Sequence, residues 1–167
     1  MSDQDRQEPA ASILVVEDES LVALFIEDTL DDLGLPCCGI ADCAAEALVL
    51  AERHRPGAAL VDIGLRGDRD GIALAEELTR RLGITVVFLT GATDDGTLAR
   101  ARAAGAHGFL GKPCTEPEIA AVVTSALAAS AGKPPRDTDG GRAFAAHASA
   151  VRHMLDLWER GREVPGL

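Results

Sequence analysis

Glu17, Asp18 and Glu19 follow directly on the apolar run Ile13–Val16. Asp62 closes a second apolar run, Thr90 closes a third, and Lys112 stands just beyond a shorter fourth. Carboxylates gathered at one place repel one another, and a hard divalent cation with oxygen ligands relieves that repulsion. Mg2+ suits such a set because it keeps several waters and needs few protein ligands. Asp18, Asp62 and one backbone carbonyl suffice, with Glu17 acting through water. The same ion can neutralise a phosphoryl group attacked by a carboxylate oxygen of Asp62. Lys112 adds a fixed positive charge opposite the carboxylates, and Pro113 permits a cis peptide before it. Thr90 offers a hydroxyl to a phosphoryl oxygen. Together these groups would catalyse an in-line displacement by charge and position.

These residues converge only if the chain brings the ends of its apolar runs together. The runs Ile13–Val16, Ala58–Val61 and Ile84–Leu89 have strand length and are apolar on both faces, and the stretches between them carry helical periodicity. Helices are expected from Ser20, as N-cap, to Gly34, with Leu21, Leu24, Phe25 and Leu30 inward, and from Cys43 to His54, closed by Arg55-Pro56-Gly57. Further helices are expected from Gly71 to Leu82 (Ile72, Ala75, Leu78 and Leu82 inward, Leu74 at the margin), from Asp95 to Ala104, and from Thr115 to Ala131. The Asp95–Ala104 stretch is mostly Ala and Arg, so it is expected to be weakly anchored. Short strands near Cys37–Ala41 and His107–Gly111 complete five βα units. Such a parallel sheet places its sites outside the carboxyl ends of the strands, where the acidic residues, Thr90 and Lys112 all fall.

Sixteen basic against twenty-seven acidic residues give a net charge of -11, which opposes attraction to nucleic-acid phosphates. No stretch has the length and apolarity of a secretory signal or a membrane span, so a cytoplasmic protein is expected, with no nucleic-acid or membrane partner. Cys37, Cys38, Cys43 and Cys114 lack metal or redox spacing and read as reduced thiols, with a redox-active Cys37/Cys38 pair as the rival. Residues 1–11 are expected to be disordered, 12–131 to form the domain, 132–143 to be a Gly/Pro-rich linker, and 161–167 a disordered tail. Between the last two, residues 144–160 place Phe144, Ala148, Val151, Leu155 and Trp158 on one face of a helix. That face can pack on its own domain, on a second copy or on a partner.

The blocks ILVVEDE, ALVDIGL, VVFLTGA and GFLGKP, in this order and at these separations, resemble the defining segments of the response-regulator receiver domains of bacterial two-component signalling. The resemblance spans about Ser12 to Ala131. It implies a flavodoxin-like, doubly wound α/β fold with a five-stranded parallel sheet of order 2-1-3-4-5 and five helices, here followed by an extra helix and no output domain. It further implies that Asp62 is the phosphoacceptor, that Asp18, Asp62 and the Gly64 carbonyl hold Mg2+ with Glu17 beside them, that Thr90 and Lys112 contact the phosphoryl group, and that Thr90 and Phe109 form the switch. A histidine kinase or histidine phosphotransferase would be the donor. Output would pass through protein contacts, including a homodimer built on the C-terminal helix or on the helix 4–strand 5–helix 5 face. Glu19 reads equally well as a solvated helix cap.

This sequence departs from the family pattern in the loop after the acceptor. Arg66 stands where a proline is usual, and Gly71 comes one residue late, so donor docking is expected to differ. Ala92 and Gly64 are both small, from which the lifetime of the phosphorylated state is expected to depend on partners and loop dynamics. Two enzymatic readings fail on particular residues. Ala106–Pro113 approximates a P-loop but opens with Ala106 and has Pro113 where a Ser or Thr must bind magnesium. A haloacid-dehalogenase-type phosphatase needs a second Asp at the position of Gly64. The remaining rival is a phosphorylation-independent interaction module of the same fold.

Overall fold

A computed structural model describes residues 12–67, 70–91 and 94–131. The expectations for residues 1–11, Ala92, the linker 132–143, the helix 144–160 and the tail 161–167 lie outside the described residues. Five strands, β1 (Ile13–Val16), β2 (Cys37–Ala41), β3 (Ala58–Asp62), β4 (Thr85–Thr90) and β5 (Gly108–Gly111), form one parallel sheet in the order β2-β1-β3-β4-β5. They alternate with α1 (Ser20–Asp32), α2 (Ala44–His54), α3 (Gly71–Leu82), α4 (Asp95–Ala103) and α5 (Glu116–Ala131). The expected fold class is therefore the observed one.

The period of two in the central strands divides the core into two layers. Leu14, Val16, Ala59, Val61, Val86 and Phe88 face α2 and α3, whereas Ile13, Val15, Ala58, Leu60, Val87 and Leu89 face α1 and α5. Register then fixes which loop ends meet. Asp62 lies beside Leu89 and Thr90 beside Gly111. Backbone bonds carry this alignment past the strand ends, from Glu17 N to Ala41 O, Ile63 N to Leu89 O, and Lys112 N to Thr90 O.

Two expectations for α1 need correction. Its N-cap is Glu19, and Ser20 is already helical, because the Glu19 carbonyl accepts the first intrahelical bond, from Ala23 N at 3.0 Å. Its buried face is Ala23, Ile26, Thr29 and Leu30, while Leu21, Leu24 and Phe25 are exposed. The run Leu21–Ile26 is apolar at every position, so its period does not mark a face. Burial is decided by the sheet beneath, which Ile26 and Leu30 fit. On α3, Leu74 is fully buried and not marginal.

The helix ends follow local chemistry. Gly34 and Gly83 take positive φ after α1 and α3, and Arg55 adopts the left-handed conformation that ends α2 before Pro56. Asp70 and Asp94 cap α3 and α4 by accepting from Ala73 N and Thr97 N. Thr115 and Glu118 exchange the two bonds of a capping box before α5. In α4 only Ala101 is buried, in keeping with its thin apolar content.

Candidate functional site

The carboxylates of Glu17, Asp18 and Asp62 converge at the carboxyl ends of β1 and β3, with oxygens within 4.8 Å of one another. Glu17 and Asp62 are buried, and Asp18 is nearly so. Lys112, just beyond β5, reaches across β4 and places Nζ 3.2 Å from Glu17 Oε2 and 3.4 Å from Asp62 Oδ2. Glu19 stands 3.9 Å from the same ammonium but is largely exposed, which fits the cap reading. The Lys112–Pro113 peptide is cis.

These neighbours set the ionisation of the group. Burial pushes the Glu17 carboxyl up to about 7, and the Asp62 charge adds to it. The Glu19 N–H and Lys112 pull in the other direction. Burial alone would lower Lys112, but its bonds to Glu17 and Asp62 outweigh that and raise it, so the ammonium stays charged. Lys112 thus serves Glu17 and Asp62, while Asp18 has only the exposed Arg66 beside it. Asp18 Oδ2 is buried with no hydrogen-bond donor. An orphaned carboxylate oxygen beside two further carboxylates is a set of oxygen donors that a divalent cation such as Mg2+ fits.

The remaining expected residues are placed as follows. The Gly64 N–H donates to Asp62 Oδ1 at 3.0 Å, so the turn carrying Gly64 is folded back on the acceptor. Thr90 ends β4 beside the cleft, and its hydroxyl donates to the Gly91 carbonyl at 3.0 Å. Phe109 is half-buried two residues before Gly111. Its ring stacks on Phe88 at 6.1 Å, and the Arg102 guanidinium of α4 lies 5.8 Å from its centroid. The cysteines are free, and burial pushes the Cys38 thiol up to about 11, opposite to the shift a reactive thiol requires.

Two residues contribute more than their sequence positions suggested. Arg66, noted only as a replacement for proline, lies in the cleft lining with Nε 3.4 Å from the orphaned Asp18 Oδ2. Gly71, noted only as displaced, packs its Cα onto the backbone after the acceptor. A Cβ there would collide with the Asp62 carbonyl oxygen and lie 3.1 Å from Ile63 Cα. The missed signal was a glycine at the first position of a helix that already had its cap in Asp70.

The sequence matches the response regulator receiver domain family over residues 13–124, more than half of the chain. Among curated proteins it is similar to the transcriptional regulatory protein PdtaR of Mycobacterium tuberculosis, 35% identical over 60% of this chain and 49% of that one. It is also similar to the phyllosphere-induced regulator PhyR of Methylorubrum extorquens, 33% identical over 71% of this chain and 44% of that one. The chain therefore spans about half the length of the curated relatives it matches. Among solved structures, the receiver domain of a modulated diguanylate cyclase from Desulfovibrio desulfuricans G20 superposes with a TM-score of 0.68 at 32% identity, covering 71% of this chain and 94% of that one. The receiver domain of NtrX from Brucella abortus does so with 0.65 at 31%, covering 69% and 97%. The matched segment, the strand order and the clustered acidic residues agree, and the chain belongs to the response regulator receiver domain family of two-component signalling.

Proposed function

We propose that Asp62 accepts a phosphoryl group from a histidine kinase or histidine phosphotransferase and that the protein signals through protein contacts. The observation carrying this reading is the convergence of the Glu17, Asp18 and Asp62 carboxylates, with the partly buried Lys112 paired to Glu17 and Asp62. Asp18, Asp62 and the Gly64 carbonyl would hold Mg2+, with Glu17 through water. When bound, the ion supplies neutralisation of the phosphoryl oxygens.

An Asp62 oxygen attacks phosphorus in line as the bond to the donor breaks, and the electron pair leaves with the donor nitrogen. Lys112, already held charged between Glu17 and Asp62, balances the negative charge that arrives. Thr90 turns its hydroxyl from the Gly91 carbonyl to a phosphoryl oxygen. Phe109, flanked by Phe88 and Arg102, registers that change at the α4–β5–α5 face. This face is the candidate output or dimer surface.

Acetyl phosphate, or beryllofluoride as its unreactive mimic, with Mg2+ should modify or bind the parent protein and leave Asp62→Ala unaltered. Phosphorylation is read by intact mass and beryllofluoride binding by fluorine NMR. Absence of any Mg2+-dependent response in the parent would overturn the phosphoacceptor reading and favour a phosphorylation-independent interaction module.

A further inference from the structure

The outer face of α1 carries an apolar stripe that the described residues leave uncovered. Leu21 is 84% exposed, Leu24 49% and Phe25 40%. They fall on one side of the helix, opposite Ala23, Ile26 and Leu30, with Asp28 and Asp32 continuing the same stripe toward the C-terminus. Contiguous large apolar side chains on a surface helix mark a contact. The helix itself carries no Lys or Arg and four acidic residues, Glu27, Asp28, Asp31 and Asp32.

The chain itself contains a segment of matching character. Ala131, the last described residue of α5, belongs to the apolar cluster that α1 and α5 share on one face of the sheet, so the chain leaves the domain on the face that carries α1. The twelve residues 132–143 can span about 40 Å, which exceeds the length of α1, about 20 Å. Beyond them the spacing of Phe144, Ala148, Val151, Leu155 and Trp158 would put them on one face of a helix, over about 21 Å. At helical spacing Arg152 and Glu159 would border that face and Asp156 would lie beyond Arg152, so the segment brings no net charge and Arg152 alone is offered to the acidic residues of α1.

We propose that residues 144–158 lie as a helix along the outer face of α1 of the same molecule, seating their apolar face on Leu21, Leu24 and Phe25, with Arg152 toward Asp28 and Asp32. Glu19 and Val22 line the cleft that holds Asp62, and Leu21 lies between them in sequence, so a segment seated on Leu21 would lie next to that cleft. This inference needs no phosphoryl chemistry and stands or falls apart from the function proposed above.

Trp158 is the only tryptophan, so its emission in the full chain reports the segment directly. In the parent the emission should be blue-shifted and shielded from acrylamide, independent of protein concentration. Leu21→Ser/Phe25→Ser changes only exposed side chains and should keep the fold, verified by circular dichroism. It should lower the docked-to-undocked ratio by at least about tenfold, shifting the emission to the red and exposing the indole to quencher. Arg152→Glu should act in the same direction through repulsion. Three results overturn the proposal: an indole already exposed in the parent, protection unaffected by the double substitution, or protection that grows with concentration alongside a doubled mass, which would assign the stripe to a second copy.

Discussion

In metal-free buffer the protein should lose stability as the pH rises from about 5 to about 8, and Glu17→Gln should remove most of that loss. Glu17 is buried, and its carboxyl is pushed from 4.5 to about 7. The folded state therefore holds a proton that the unfolded state releases across the interval between those values. Stability from this group is fully present below about pH 4.5 and is lost as the pH climbs through about 7. Integrated between about pH 5 and about pH 8, the loss is about 2.5 kcal/mol, which for a domain of this size is roughly 10 °C in Tm. Glutamine keeps an acceptor for the Glu19 N–H, while Lys112 retains Asp62.

The assay is thermal or urea unfolding of parent and Glu17→Gln across this range, with chelator and again with saturating Mg2+. The difference between the two proteins isolates Glu17 from other titrating groups. Mg2+ favours the ionised carboxylate, so the stabilisation it confers on the parent should grow as the pH passes through about 7. Parallel pH profiles for parent and variant in chelator, or a parent that gains stability relative to the variant toward high pH, would refute the reasoning.

Gly71→Ala should force the start of α3 off the Asp62–Ile63 backbone, costing about 1–3 kcal/mol and weakening beryllofluoride binding. An unchanged Tm with full binding would contradict the close approach. Arg66→Ala should tighten Mg2+ binding, because the guanidinium beside Asp18 Oδ2 opposes the arriving cation. Arg66 is exposed, so the gain is that of a surface ion pair, up to about fivefold, measured by calorimetric titration, and unchanged or weaker binding would count against it. Gly64→Met should lengthen the phosphorylated lifetime several-fold. A Cβ at residue 64 would lie 3.7 Å from Asp62 Oδ1, so the added chain stands over the acceptor and excludes water. An unchanged lifetime would restore the expectation that partners and loop dynamics control it.

The strands and the placement of the acidic residues, Thr90 and Lys112 at their ends could be read directly, because strands buried on both faces leave uninterrupted apolar runs and a parallel sheet gathers its loop ends on one side. The outward stripe of α1 could not. Leu21 to Ile26 contains no polar residue to break the symmetry, and the face that turns inward depends on the shapes of Ile13, Val15 and Leu60 beneath. Gly71 was equally opaque, since its importance lies in an approach between backbones separated in sequence by the whole acceptor loop. Arg66 could be seen as a departure from pattern but not as a neighbour of Asp18, because a long side chain on a turn has no period to fix its direction.

The two apolar faces of α1 carry a further consequence. A helix that serves only its own core needs one such face, and α1 already satisfies the sheet with Ala23, Ile26 and Leu30. α4 shows the opposite economy, with only Ala101 buried and Arg102 resting on Phe109. Displacing α4 therefore sacrifices little packing, whereas α1 is fixed in the core and offers its outer surface unchanged. A charge added at Asp62 should accordingly be registered on the α4–β5–α5 side, where an element can move. The α1 side, whose packing a charge at Asp62 leaves in place, is suited to constant contact.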